Sequence, residues 1–197
     1  LPATLTAGGR AALSLVVSVP MRDVPQYSMR GSYAVRQGVL AGPSLPAIEG
    51  LDGEIRFNRL GLTDGALRAQ WLGGPMRFEV SRPAAAPPGD YVVAGHGEWH
   101  GEKLADALGA AWAGRLQGRM PWELRFQRRG GIPDLAASMR LDEARLDLPV
   151  PLAKKAQQPE RLIVFTRSAD KSGLIVESHL GTRANARLAL GETGKGW

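Results

Sequence analysis

Cysteine is absent from this 197-residue chain, so no disulfide framework and no thiolate site can exist in it. Histidine is almost as scarce, with three in the whole chain, and aromatic residues make up only 6%. No Gly-x-Ser-x-Gly elbow, phosphate loop or dinucleotide fingerprint occurs. The carboxylates are scattered among residues that alternate with apolar ones, which leaves little to assemble into acid–base machinery. The expectation is therefore no enzyme, with no catalytic residues and no cofactor. Long hydrophobic runs are missing too, and the apolar stretches are far too short to span a bilayer. The chain starts at Leu1-Pro2 with no initiator Met and no charged-then-apolar leader, as expected of a piece of a longer protein.

What is present is a globular composition, 44% hydrophobic and 22% charged, in a chain long enough to bury a core. The net charge of +6 is spread along the whole length. Its tightest cluster, Arg125, Arg128 and Arg129, sits beside Gly130-Gly131 and reads as a solvated turn at a strand end. That pattern argues against nucleic acid as a partner and suits a general attraction to anionic surfaces, lipid headgroups included.

His96-Gly-Glu-Trp-His100 is the one stretch resembling a metal site. On a helix the two imidazoles would share a face, but Gly95, Gly97 and Gly101 oppose a helix and Tyr91-Val-Val-Ala favours extended chain. In a strand the two would stand roughly 13 Å apart at ~3.3 Å per residue, too far to share an ion. No metal is expected.

The organising stretch runs from Tyr91 to Phe126. It reads as a strand, Tyr91 to Ala94, an amphipathic helix near Glu102 to Gln117, and a second strand, Met120 to Phe126. In the helix Leu104, Leu108, Ala111, Trp112 and Leu116 recur at spacings of three and four, with Glu102 in the first turn and Arg115 in the last. Gly114 and Gly118 punctuate its end. In the second strand Met120, Trp122, Leu124 and Phe126 alternate with Pro121, Glu123 and Arg125, so apolar side chains occupy one face and charges the other. A lone helix between such strands is either a lid on a sheet or an ordinary part of an α+β core.

The same alternation recurs along the chain. Leu13, Leu15, Val17 and Val19 form one apolar face, and Tyr33, Val35 and Val39 another, after an interruption at Pro20 and Pro25. Ala41 to Pro46 reads as a loop and Gly53 to Phe57 as a strand; Leu67, Ala69 and Trp71 then face Met76, Phe78 and Val80 across a hairpin turn at Gly73-Gly74-Pro75. Arg82 to Asp90 is a Pro-rich connector, either a subdomain boundary or a long hairpin loop. Leu135, Ala137, Met139 and Leu141 continue the pattern. Its phase shifts at Ala144, Leu146 and Leu148, which requires a bulge or tight turn near Asp142-Glu143. Arg161 to Thr166, Leu174 to His179 and Arg183 to Leu190 are three further strands, joined through Ala169 to Gly173 and through Gly181-Thr182, before a polar tail ending in Trp197. The result is a mainly β, largely antiparallel meander of roughly ten strands with one helix. Its oily face can be buried in a sandwich, a barrel or an open, ligand-covered trough.

Several phrases resemble the periplasmic middle region of the YhdP-type, AsmA-like family of large Gram-negative envelope proteins. They are Ile48-Glu-Gly-Leu-Asp-Gly-Glu-Ile-Arg-Phe57, Gly61-Leu62, Leu72-Gly-Gly-Pro75, the strand and helix from Gly95 to Gly118, Leu116-Gln-Gly-Arg-Met-Pro-Trp122 and Leu146-Asp-Leu-Pro-Val-Pro-Leu152. The resemblance runs in order from about Ile48 to Leu190. It implies a single segment of a curved, taco-like β-groove in a bridge-like periplasmic protein anchored to the inner membrane by parts outside this chain. It also implies a partner, the acyl chains of phospholipids passing between inner and outer membranes, and a role in outer-membrane integrity. The alternative is a periplasmic scaffold whose strands close on themselves. On the groove reading Trp71, Met76, Phe78, Trp122, Leu124 and Phe126 line the trough, and Leu108 and Trp112 lie on a helix that covers it. Sheet edges freed by cutting such a trough can pair between molecules.

Overall fold

The computed structural model describes residues 5–21, 27–43, 45–130, 132–150, 152–169 and 173–191. The expected loop at Pro25, the tip of the turn between Ala169 and Gly173, and the tail with Trp197 lie outside them. The strands are β1 (Thr6–Ser18), β2 (Ser28–Gly42), β3 (Leu45–Asn58), β4 (Gly61–Trp71), β5 (Gly74–Ser81), β6 (Tyr91–His100), β7 (Leu116–Gln117), β8 (Arg119–Arg129), β9 (Ile132–Arg140), β10 (Arg145–Leu146), β11 (Arg161–Ala169), β12 (Gly173–Leu180) and β13 (Ala184–Gly191). One helix, α1 (Gly101–Leu108), follows β6.

Eleven of the strands form one antiparallel sheet in the order β1-β2-β3-β4-β5-β6-β8-β9-β11-β12-β13, and β7 and β10 form a separate ribbon. Each strand therefore pairs with its nearest sequence neighbours, a pure meander that does not close into a barrel. Arg82 to Asp90 joins two adjacent strands of this sheet and packs back on it, with the Gly89 amide donating to the Leu60 carbonyl at 2.7 Å. It is a long hairpin loop.

The register makes the two faces explicit. Val35, Gly53, Leu67, Phe78, Gly95, Leu124, Ala137 and Val164 stand abreast across eight strands. One residue along, Glu54, Ala66, Glu79, Ala94, Arg125, Ala136 and Phe165 stand abreast on the opposite face. With a side-chain period of two, the alternation read in each strand adds into one apolar face and one charged face.

The loop expected over Ala41 to Pro46 is shorter, since β2 runs to Gly42 and β3 starts at Leu45, and two further features differ from the pattern-based expectation. Val39 is on the charged side, because the β2–β3 register slips between Val35 and Gly38 and Gln37 sits there at φ 50°. Gly38 and Leu40 take its place opposite Leu51 and Ile48. Matching slips at Gly8/Arg10 in β1 and Glu49/Asp52 in β3 bring irregularities into three adjacent strands, which bends the sheet there. Gly9 is required at that site, since at φ 107° its β-carbon would lie 2.7 Å from the Gln37 carbonyl oxygen.

The helix is the second of these two features. It ends at Leu108, where Gly109 adopts φ 99° and ψ 177°, a short 3-10 turn follows over Ala110–Trp112, and Leu116 belongs to β7. The apolar spacing continued beyond the helix, but Gly109 ends it. The hairpin between β4 and β5 turns on Leu72 and Gly73, both at positive φ (50° and 85°), the type I′ geometry that suits the sheet's twist. A tight turn lies at Asp142-Glu143, as the phase shift requires, closed by the Ala144 amide on the Leu141 carbonyl at 2.9 Å.

Candidate functional site

Trp71, Met76, Phe78, Trp122, Leu124 and Phe126, the six residues expected to line a trough, all project from the apolar face of β4, β5 and β8. They sit close together because β6 lies between β5 and β8 and offers two glycines. A β-carbon on Gly95 would come within 2.5 Å of the Phe78 ring, and one on Gly97 within 2.7 Å of the Trp122 ring. The aromatic rings thus occupy the space above β6 that its own side chains leave empty.

Trp99, from β6 itself, completes the cluster. Its ring is 5.1 Å from Trp71, edge to face, and 5.8 Å from Trp122, which in turn is 5.8 Å from Phe78. Toward the other end of the strands Tyr91 and Phe126 pair at 6.0 Å. Trp71 donates its indole N–H to the Pro46 carbonyl at 3.2 Å, whereas the buried N–H groups of Trp99 and Trp122 have no hydrogen-bond partner among the described residues. Beside the cluster lies a cavity of about 330 Å³ bounded by Trp71, Phe78, Trp99, Trp122, Leu124, Met139, Leu162 and Val164.

Met76 is 6% exposed and Trp122 8%, although no second sheet covers them among the described residues. They are buried by neighbours on their own sheet, as a concave face allows. Away from this centre the face is open. On β1 Leu13, Leu15 and Val17 are at least half-exposed, and Leu188 on β13 is similarly exposed.

One rim of the face is capped. Ala105 of α1, Leu116 of β7 and Leu146 of β10 bury themselves with Met120, Leu141 and Ala144, and this group packs on Trp99, Met139, Leu162 and Leu180 of the sheet. Trp112 joins it from the 3-10 turn. Leu108, the last residue of the helix, stands outside this cluster and is 50% exposed. Lys154 fastens the cap, buried, with its ammonium donating to the carbonyls of Ala144 at 2.9 Å and Lys155 at 3.0 Å. Burial lowers its pKa, while Asp142 and Glu160 pull the other way.

The other face carries exposed charge: Arg56 meets Asp64 at 2.9 Å, Arg77 meets Glu79 at 2.8 Å and Arg119 meets Glu143 at 2.7 Å. His96 and His100 lie within β6, four residues apart on extended chain. Sequence reasoning missed Trp99 and Met139 as neighbours of the aromatic cluster. Trp99 continues the phase of Val93, Gly95 and Gly97, but the two glycines concealed the alternation.

A family model described as YhdP protein matches residues 3–197 of the chain. No curated protein and no solved structure matches it.

Proposed function

The chain belongs to the YhdP family, a bacterial envelope lipid-transport family, and from that premise we propose that its concave apolar face shelters the acyl chains of phospholipids. The segment lies in the periplasm, in a protein anchored to the inner membrane outside this chain, and forms part of the path between inner and outer membranes. The observation that carries this reading is the apolar face itself, continuous across the meander and covered by no second sheet among the described residues. A scaffold domain would fill that face with a second layer. Each methylene withdrawn from water is worth about 0.8 kcal/mol, so sheltering a dozen offsets roughly 10 kcal/mol of exposure. Rows of similar apolar side chains on successive strands offer no single deep minimum, which suits a lipid that must move on.

The test sets one face against the other. Leu124→Asp places a carboxylate on the apolar face and is expected to impair phospholipid passage in cells, while Arg125→Asp on the opposite face is expected to be mild. Equal impairment at matched protein levels would contradict the assignment of the conduit to that face.

A further inference from the structure

Across the eleven strands, the register places one charged side chain on the apolar face. It is Arg128, directly opposite Tyr91 and two places beyond the pair Val93–Phe126. Every other position on that face holds an apolar residue, glycine, proline, serine, threonine or tyrosine. Arg128 is exposed, and its side chain takes part in no ion pair or hydrogen bond with any described residue. Its guanidinium lies beside the loop backbone, with Nη1 3.5 Å from where a β-carbon on Gly89 would stand.

The two rims of the groove are therefore unlike. At the capped rim the apolar face is filled, and Arg119 and Arg183 are each engaged by a carboxylate, Glu143 and Glu160, at 2.7 Å. At the rim marked by Tyr91 and Arg128 the neighbouring element is the Arg82 to Asp90 loop; among the described residues no helix or ribbon fills the apolar face there, and the Arg128 guanidinium is unengaged.

Resting on the groove reading above, we propose that Arg128 binds the phosphate of a lipid headgroup, with Tyr91 beside it, and so sets the direction in which the lipid lies. The acyl chain runs along the strands from this rim toward the tryptophans. From Arg128 to Trp122 is six residues, about 20 Å at ~3.3 Å per residue. That exceeds the roughly 15 Å that one leaflet's acyl chains occupy in a bilayer. A planar guanidinium on a long apolar stem is suited to holding phosphate at a rim while its methylenes stay on the apolar surface.

The test uses the complete purified protein and phosphatidylcholine vesicles doped with labelled phosphatidylglycerol or with labelled diacylglycerol of the same acyl chains. The unmodified protein is expected to take up phosphatidylglycerol roughly two- to fivefold better, the range for an exposed charge pair. Arg128→Gln brings phosphatidylglycerol down to the diacylglycerol level, Arg128→Lys keeps part of the preference, and Arg125→Gln changes nothing. Persistence of the full preference in Arg128→Gln would overturn the assignment and leave the groove intact. Loss of the preference on adding millimolar inorganic phosphate would make this a free-phosphate site and overturn it too. Uptake of neither lipid by the unmodified protein would contradict the groove and this assignment together.

Discussion

The six-membered ring of Trp122 rests directly on Gly97 of the neighbouring strand, so closely that a β-carbon there would come within 2.7 Å of it. The same β-carbon would meet the Pro75 carbonyl oxygen at 2.6 Å, leaving no direction in which the ring alone can yield. Gly97→Ala is expected to destabilise the protein by about 1–3 kcal/mol, the usual range for overpacking. Gly8→Ala, where nothing lies within 4 Å, should stay within about 0.5 kcal/mol. Urea denaturation midpoints of the two variants make the comparison, and an equal shift would show that the indole does not depend on Gly97.

The cap divides its leucines sharply. Leu116 and Leu146 are 5% and 9% exposed, Leu108 50%. Truncating either of the first two to alanine should cost about 2–4 kcal/mol, with Leu108→Ala under about 0.5. A large loss at Leu108 would mean that the helix continues and packs beyond Gly109.

Which of these features the sequence discloses follows from period. Wherever a strand keeps strict alternation, as from Met120 to Phe126, parity alone assigns every side chain to its face, and the six expected lining residues all fall on one. Parity fails at Gln37, because a non-glycine residue at φ 50° carries no composition signal and the inserted position sends Val39 to the other side. Helical spacing fails at Gly109 for the opposite reason: Trp112 and Leu116 do reach the cap cluster, but from a turn and a strand whose spacing happens to imitate a helix. Arg128 was legible. Counting on from Trp122, Leu124 and Phe126 puts it on the apolar face, yet grouping it with Arg125 and Arg129 presents it as part of a solvated turn. What alternation cannot supply is the long-range geometry that leaves the sheet open and lays the cap on one rim.

Asp90 is 6% exposed, and both of its carboxylate oxygens accept the Gly130 amide, at 2.9 and 3.0 Å. It ties the β5–β6 loop to the end of β8 where Arg128 stands. Asp90→Ala is expected to cost about 1–3 kcal/mol through the amide left unpaired, and Asp90→Asn, which keeps an acceptor, distinctly less. Amide hydrogen exchange at Gly130 checks this: unchanged protection in Asp90→Ala would rule out the clamp.

Lys154 gives a pH dependence whose sign follows from its lowered pKa. Below the folded-state pKa the residue is charged in both states, and its burial opposes folding. As pH rises from that value toward the ordinary 10.5, the unfolded chain binds more protons than the folded one and stability increases. Lys154→Met should remove this alkaline gain. Parallel stability profiles for the two proteins on the alkaline side of neutrality, up to 10.5, would show that Lys154 does not titrate differently on folding.

The groove itself is tested most directly by site-specific photo-crosslinking in the complete protein in cells, with the probe at Phe126 or at Arg125. These adjacent positions on β8 face opposite sides of the sheet. Phospholipid adducts at Phe126 and none at Arg125 are the predicted result. Adducts at neither, with the protein folded and present, would contradict the groove and leave the segment a scaffold.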